Sequence, residues 1–405
     1  LSYGRSLDGP ISAGIRFPSA LCGMFIILTA ICALSSVDEK AAQRVYDFWE
    51  PALQWVARWL PLFYVPSLVT LPAALSGIPG ADLARIGVLM ASGVVLSLWV
   101  TASLTVFIRS LTNTEVLPPA PVKGQPPFTR AEQVAAAGTA AASFAVAVAV
   151  PSQALPASVP FFISATVGGY LFGSALPAKV RTFLHPILTT ALVAQAAAFL
   201  YGSVTGVGFF GALQVYLSKG AGPIASGAGD VLMGFLGTVI LSFGFRLYGQ
   251  RALLRRHAVE IVGTVVASAA FSLFATVGLG RLLGLASQLS LAVAPRSVTV
   301  ALALPIGDLL GAGDLSSVTA GAVVITGLIG ANFCQRLLDS FGFKDPIVRG
   351  MSTAASAHGL GTAALAAKEP DALPFCALAY ALIGISASVL ATVPAVQAAL
   401  IALAG

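Results

Sequence analysis

The sequence predicts an all-α, polytopic membrane protein with discontinuous helices. Three observations carry that class. Of 405 residues, 57% are hydrophobic and only 9% charged, where a soluble domain carries about 25% charged residues. Apolar windows of about 20 residues recur along the chain, each long enough to cross a hydrocarbon core of about 30 Å, and counting them with shorter pieces gives about 11–13 membrane elements. Proline and glycine interrupt several windows, and Arg296 and His358 sit inside two of them. In lipid every backbone polar group needs an internal partner, so helices fill the spans and breaks belong where side chains line a cavity.

The first apolar run covers residues 11–34 and contains Arg16-Phe17-Pro18-Ser19-Ala20-Leu21-Cys22-Gly23-Met24. A charged loop with Asp38, Glu39, Lys40, Arg44 and Asp47 is expected next. Residues 49–75 are aromatic-rich and carry Pro51, Pro61, Pro66 and Pro72, which predicts a kinked span or a re-entrant piece. Trp49, Trp55, Trp59 and Tyr64 suit an interfacial belt. A third span covers 83–108. Residues 109–130 hold Pro118, Pro119, Pro121, Pro126 and Pro127 and read as an extended connector. The domain boundary is placed there, giving 1–125 and 126–405.

In the second part, spans are expected at 131–150, 159–176, 183–201, 231–248, 261–279, 289–306 and 318–337. Residues 350–367, rich in Ser, Ala and Gly, suit a half-helix. Residues 373–403 suit one tilted span or a hairpin broken at Pro394. The chain begins at Leu1 with no basic n-region before the first apolar run, so a signal or transit segment is expected to precede it.

Net charge is +6, but the basic residues gather at 109–130, 179–181 and 246–256, and one span between consecutive breaks puts all three groups on the same face. That distribution sets topology and does not point to nucleic acid; it favours lipid contact and anionic solutes. Cys22, Cys32, Cys334 and Cys376 lack CxxC spacing and read as small core residues. No cluster has metal-ligand spacing, no cofactor is indicated, and no Ser/His/Asp arrangement suggests chemistry on a bond.

Gly-Ala-Gly-Asp occurs twice, at 227–230 and 311–314. It fits either a glycine hinge with a helix-capping aspartate or a GxGD intramembrane aspartyl protease. The protease needs a second aspartate sharing a proton with the first, and Tyr46-Asp47 lies in a charged stretch. The two copies fit an inverted repeat of the kind that builds secondary transporters, while a match of 236–248 to 294–306 argues for halves running the same way. Gly206-Val207-Gly208-Phe209-Phe210-Gly211 fits GxGxxG but follows a membrane span, so a dinucleotide site is rejected. His185 and His257 stand at span ends beside Arg181, Arg255 and Arg256, where interfacial placement explains them.

Pro295-Arg296-Ser297-Val298-Thr299 is the strongest candidate. Proline breaks the helix where the arginine sits, a half-helix N-terminus attracts anions, and a guanidinium fork holds a carboxylate. The alternative is an Arg296 that snorkels to the interface. Ser297 and Thr299 either bond a substrate hydroxyl or cap freed carbonyls. His358 lies among Ser356, Gly359, Gly361 and Thr362, which suits either close helix packing or a substrate or proton site. Asn332 is either interhelical glue or a ligand contact.

These residues resemble a family. Pro295–Thr299, Ile325-Thr326-Gly327-Leu328-Ile329-Gly330, Lys344-Asp345-Pro346 and Ser356-Ala357-His358-Gly359-Leu360-Gly361-Thr362 are similar, in order, to four signature elements of LrgB/CidB-type membrane proteins. Arg296 replaces a lysine there, and Ala357 is inserted between the family's serine and histidine. Leu236-Gly237-Thr238-Val239-Ile240 stands where the family has Leu-Gly-Pro-Ala-Thr, without the proline, and adds Gly237 and Thr238 to the candidate site. Phe17–Met24 and Leu62-Phe63-Tyr64-Val65-Pro66 resemble the partner LrgA/CidA family. A fusion of the two is similar to the plastidal glycolate/glycerate translocators of plants and algae. The resemblance implies a secondary transporter of small 2-hydroxycarboxylates in the chloroplast inner envelope. It would move glycolate out and glycerate in, by exchange or proton coupling, with His358 the proton candidate and a homo-oligomer possible. The other function it implies is a holin-like or regulatory pore.

Overall fold

Helices account for the regular structure of the described residues, and no strand occurs among them. The computed structural model describes residues 18–112, 114, 128–149, 155–181, 184–220, 222, 225–366 and 368–405. The proline-rich 115–127 of the expected connector lies outside them.

In chain order, α1 (Ser19–Val37) is apolar around its circumference, and α2 (Glu39–Val69) begins at Asp38, whose carboxylate accepts from the Ala41 N–H at 3.0 Å. The stretch expected to be a charged loop is therefore the first turns of α2. The helix also runs through Pro51, Pro61 and Pro66, which membrane helices tolerate when neighbours take up the freed backbone groups. It stops at Thr70, before the short α3 (Leu71–Leu75). Of the expected aromatic belt, Trp49 and Trp55 are exposed, whereas Tyr64 is buried. Next comes α4 (Gly80–Thr112), with Asp82 in its first turn and Arg109 in its last, each complementing the helix dipole.

α5 (Arg130–Ala149), α6 (Leu155–Ala175), α7 (Ala178–Arg181) and α8 (Pro186–Thr205) follow, α8 capped by the His185 side chain. The GxGxxG glycines turn the chain from α8 into α9 (Gly208–Tyr216), as a span end should. α10 (Ala228–Gly234), α11 (Leu236–Gly249), α12 (Arg251–Arg256) and α13 (Ala258–Leu282) come next. Then α14 (Ser287–Val293) and α15 (Val300–Leu309) divide the expected 289–306 span at the Pro295-Arg296 element. α16 (Ser316–Ser340) is unbroken. α17 (Pro346–Ala366) is interrupted at His358, whose φ of 40° and ψ of −138° are not helical. α18 (Leu373–Thr392) and α19 (Pro394–Ala404) meet at the Pro394 break. Among the described residues, eight helical segments, with α10 and α11 counted as one, are long and apolar enough to cross a membrane, and α15 and α19 are shorter apolar pieces.

The chain forms two compact units. The first draws its described residues from Ala52–Gly77 and Lys123–Val239, the second from Gly4–Pro51, Ile78–Val122 and Ile240–Gly405. In the first unit, Phe162 packs edge-on against Tyr201 and Tyr216, and Phe63 stacks on Phe235. The Gln195 amide donates to the Leu68 and Val69 carbonyls at 3.2 Å, satisfying the end of α2. Asp230 stands in the first turn of α10 and accepts from the N–H groups of Gly227, Ser218 and Lys219 and from the Ser218 hydroxyl. Its carboxylate is committed to closing this loop, which accounts for the first Gly-Ala-Gly-Asp copy. The second copy makes a 3-10 turn, Gly313–Leu315, ahead of α16.

In the second unit, α4 packs against α13, α16 and α17, while α17 lies against α16 and α18. Val94, Leu98 and Ala102 of α4 share a core with Cys334, Leu338, Val348 and Ala357. Asp230→Ala should lower stability by about 1–2 kcal/mol, because it strands partly buried loop donors. A thermal melt in detergent checks this, with Asp230→Asn expected to fall between wild type and Ala.

Candidate anion site

α13 and α4 each carry a file of small hydroxyl residues at four-residue spacing, so each file lines one helix face. On α13 it runs Thr264, Ser268, Ser272, Thr276; on α4 it runs Ser97, Thr101, Thr105, with Gly93 one turn before Ser97. All seven hydroxyl residues are buried. Arg296, between α14 and α15, reaches this interface. Its Nε donates to Thr276 Oγ1 at 3.1 Å and its Nη2 to Ser97 Oγ at 3.0 Å.

The guanidinium is 1% exposed, and its Nη1 has no hydrogen-bond partner. Arg296 is thus anchored across the helix interface and does not snorkel. Among the described residues no carboxylate pairs with it. A buried cation held only by neutral hydroxyls is costly by several kcal/mol, and an anion at Nη1 offsets that cost. Ser97 and Thr276 accept from the arginine, which leaves their own O–H groups to donate.

Gly93 makes room for this arrangement: a Cβ there would stand 2.5 Å from Arg296 Cζ and Nη2. Ser297 Oγ bonds Ser272 Oγ at 2.6 Å, tying the break to α13. Thr299 is the N-cap residue of α15 but makes no side-chain cap bond. Its hydroxyl is therefore not spent on the helix end.

The second break lies at His358, in α17. The ring is 5% exposed, and its Nε2 lies 2.9 Å from the Val323 carbonyl of α16. A carbonyl only accepts, so Nε2 carries the proton and Nδ1 is left as the ring's acceptor. A Cβ at Gly327 would stand 2.7 Å from Nε2, so this glycine too makes space for an ionisable ring. Positive φ at a non-glycine residue costs about 1–3 kcal/mol and persists where surroundings enforce it, commonly at functional sites. Thr326, next to Gly327, bonds Met90 Sδ at 3.1 Å, one turn along α4 from Gly93. α4 therefore touches the surroundings of both breaks.

The other sequence candidates separate. Gly359 stands at the His358 break with open space where a Cβ would point, and Gly361 packs on Ala357. Thr362 Oγ1 donates to the His358 carbonyl at 3.0 Å, and Ser356 bonds back to the Ser352 carbonyl at 2.9 Å. The Asn332 amide donates to the Leu328 carbonyl of its own helix at 2.8 Å, with no partner from either break. Gly237 and Thr238 lie in the first turn of α11, in the first unit, where Thr238 is exposed. His257, expected at an interface, is instead fully buried. Gly93, Ser97, Ser272 and Thr276 were not among the sequence candidates, although the period-four hydroxyls in apolar spans are a readable signal.

The model of the LrgB-like family matches residues 166–396. The plastidal glycolate/glycerate translocator 1, chloroplastic, of Arabidopsis thaliana is 47% identical over 398 residues, covering 98% of this chain and 77% of that protein.

Gly93→Ala should destabilise by about 1–3 kcal/mol through overpacking against Arg296. Gly87→Ala on the same helix, where a Cβ meets nothing within 4 Å, should be neutral or stabilising. Paired melting curves of the two variants check this.

Proposed function

Because the chain belongs to the LrgB-like family, we propose that it is a secondary transporter of small 2-hydroxycarboxylates, glycolate and glycerate, in the chloroplast inner envelope. The observation that carries the reading is the Arg296 guanidinium, buried without a carboxylate partner and with Nη1 free of partners. One fixed positive charge surrounded by hydroxyls suits a monoanion that also bears a hydroxyl group. The carboxylate takes Nη1, while Thr299 is available to the substrate hydroxyl.

The interruptions at Pro295–Thr299 and His358 put helix termini at membrane depth, and the N-terminus of α15 adds N–H donors for an anion. Exchange follows from this electrostatics. An empty site leaves the cation uncompensated, so the protein changes access more readily when loaded, and glycolate leaving is matched by glycerate entering. In sequence terms, residues 126–405 form the LrgB-like transport part and 1–125 the LrgA-like part. α4 of the latter contributes Gly93 and Ser97 to the anion site.

The test is counterflow in proteoliposomes preloaded with unlabelled glycerate and supplied with labelled glycolate. Saturable, glycerate-dependent uptake is expected. Losing charge-assisted hydrogen bonds worth about 1.5–3 kcal/mol, Arg296→Ala should raise the half-saturating concentration roughly 10- to 150-fold. Arg296→Lys, which keeps the charge without the fork, should fall between. Unsaturable leakage of glycolate and of unrelated solutes alike would instead indicate a pore.

A further inference from the structure

The turn that joins α11 to α13 carries a concentration of positive charge that the anion site does not use. Residues 246–259 hold Arg246, Arg251, Arg255 and Arg256 and no acid. Two of the four arginines are committed. Arg246 donates to the Tyr380 hydroxyl at 3.2 Å, and Arg251 lies 4.2 Å from the centre of the Tyr248 ring while pairing with Glu39 at 3.1 Å. Arg255 and Arg256, at the end of α12, are exposed. Among the described residues Arg58, Arg85, Arg109, Arg251 and Arg349 each pair with a carboxylate, whereas Arg255 pairs with none.

The platform beneath these cations is fixed. His257 separates α12 from α13 and is fully buried, with Nδ1 3.0 Å from Thr114 Oγ1 and 3.6 Å from Glu260 Oε1. Glu260, the next acid along the chain, is 1% exposed and accepts from the Thr112 hydroxyl at 2.9 Å and from that of Thr114. The α12–α13 junction is therefore tied to the end of α4. From α18, the Phe375 ring stands edge-on to the imidazole. α12 itself contributes no buried residue. It lies on the protein, as an interfacial helix lies on a membrane.

α13 is long and apolar enough to span the membrane, so Arg255 and Arg256, just ahead of it, stand at headgroup depth. Its buried face carries Thr264 and Ser268, and its exposed face carries Val259, Val262 and Val266 at helical spacing. From Val259 to Val266 the helix rises about 10 Å at about 1.5 Å per residue. A pair of cations above an apolar stripe is complementary to a molecule that is anionic at one end and apolar along its length. A soluble anion leaves the valines bare, and an apolar helix leaves the arginines without counter-charge.

We propose that Arg255 and Arg256 hold the headgroup of an anionic phospholipid whose acyl chains lie along Val259, Val262 and Val266. Guanidinium groups share the oxygens of a phosphodiester through charge-assisted hydrogen bonds, and basic clusters at the end of a span are where anionic lipids gather. The lipid covers the outer side of the α12–α13 junction, whose inner side holds the end of α4 through Glu260. Occupancy of this surface does not depend on which solute the protein carries.

The experiment delipidates the full chain in a neutral detergent and titrates it with phosphatidylglycerol or phosphatidylcholine, reading lipid adducts by native mass spectrometry and the melting temperature in parallel. Phosphatidylglycerol should bind as a discrete adduct about tenfold or more tighter than phosphatidylcholine and raise the melting temperature. Each arginine near a charged headgroup is worth roughly fivefold in affinity. Arg255→Gln with Arg256→Gln should therefore weaken phosphatidylglycerol binding about 25-fold. Arg255→Gln alone, an exposed change that decides the question if the pair does not fold, should weaken it about fivefold. Lys40→Gln with Arg44→Gln, exposed cations standing among Asp38, Glu39 and Asp47, should leave it within about twofold of wild type. Full binding by the Arg255 variants, an equal loss in the Lys40 and Arg44 pair, or equal binding of the two lipids overturns the inference. Glycerol phosphate alone producing the same rise in melting temperature also overturns it, because the site would then be one for a soluble anion.

Discussion

A guanidinium at membrane depth, held by two hydroxyls and nothing negative, is the constraint on which the second unit depends. Arg296 reaches Thr276 and Ser97 only because three local conditions coincide. Pro295 breaks the apolar segment where the arginine must leave it. Gly93 leaves α4 without a side chain where the guanidinium crosses. The hydroxyl residues of α4 and α13 fall at helical spacing on facing surfaces. Each condition is legible in the sequence alone, but their meeting is a property of packing.

The His358 break follows a similar rule with different chemistry. A glycine opposite, Gly327, makes the space, and a backbone carbonyl, Val323, fixes which ring nitrogen carries the proton. Both breaks thus present an ionisable group whose orientation is set by neighbouring helices before any ligand arrives. Such preorganisation lowers the entropy lost on binding. α4 touches the surroundings of both, through Gly93 and Ser97 at one and Met90 at the other. The N-terminal part of the chain therefore contributes residues to the proposed anion site.

Membrane class, most spans and the break at Pro295–Thr299 could be read from hydropathy, proline placement and one incongruous arginine. The errors have physical causes. Asp38–Asp47 looked like a loop because its charges outweigh its helix propensity, yet Asp38 caps a helix that simply extends beyond the apolar run. Of the kinked span and the re-entrant piece that Pro51, Pro61 and Pro66 predict, the continuous α2 fits the span. His257 looked interfacial beside Arg255 and Arg256, because sequence neighbours say nothing about Thr114 and Glu260 folding over it. Ser97 and Thr276 were passed over because each is unremarkable alone; only the repeat Thr264–Ser268–Ser272–Thr276, set against Ser97–Thr101–Thr105, marks a polar seam.

The most direct test of the central claim is an experimental structure with glycerate bound. The account predicts a carboxylate oxygen about 3 Å from Arg296 Nη1, within hydrogen-bond distance, with Ser97 and Thr276 still on the guanidinium. Glycerate bound elsewhere, with Arg296 Nη1 still unpartnered, would contradict it.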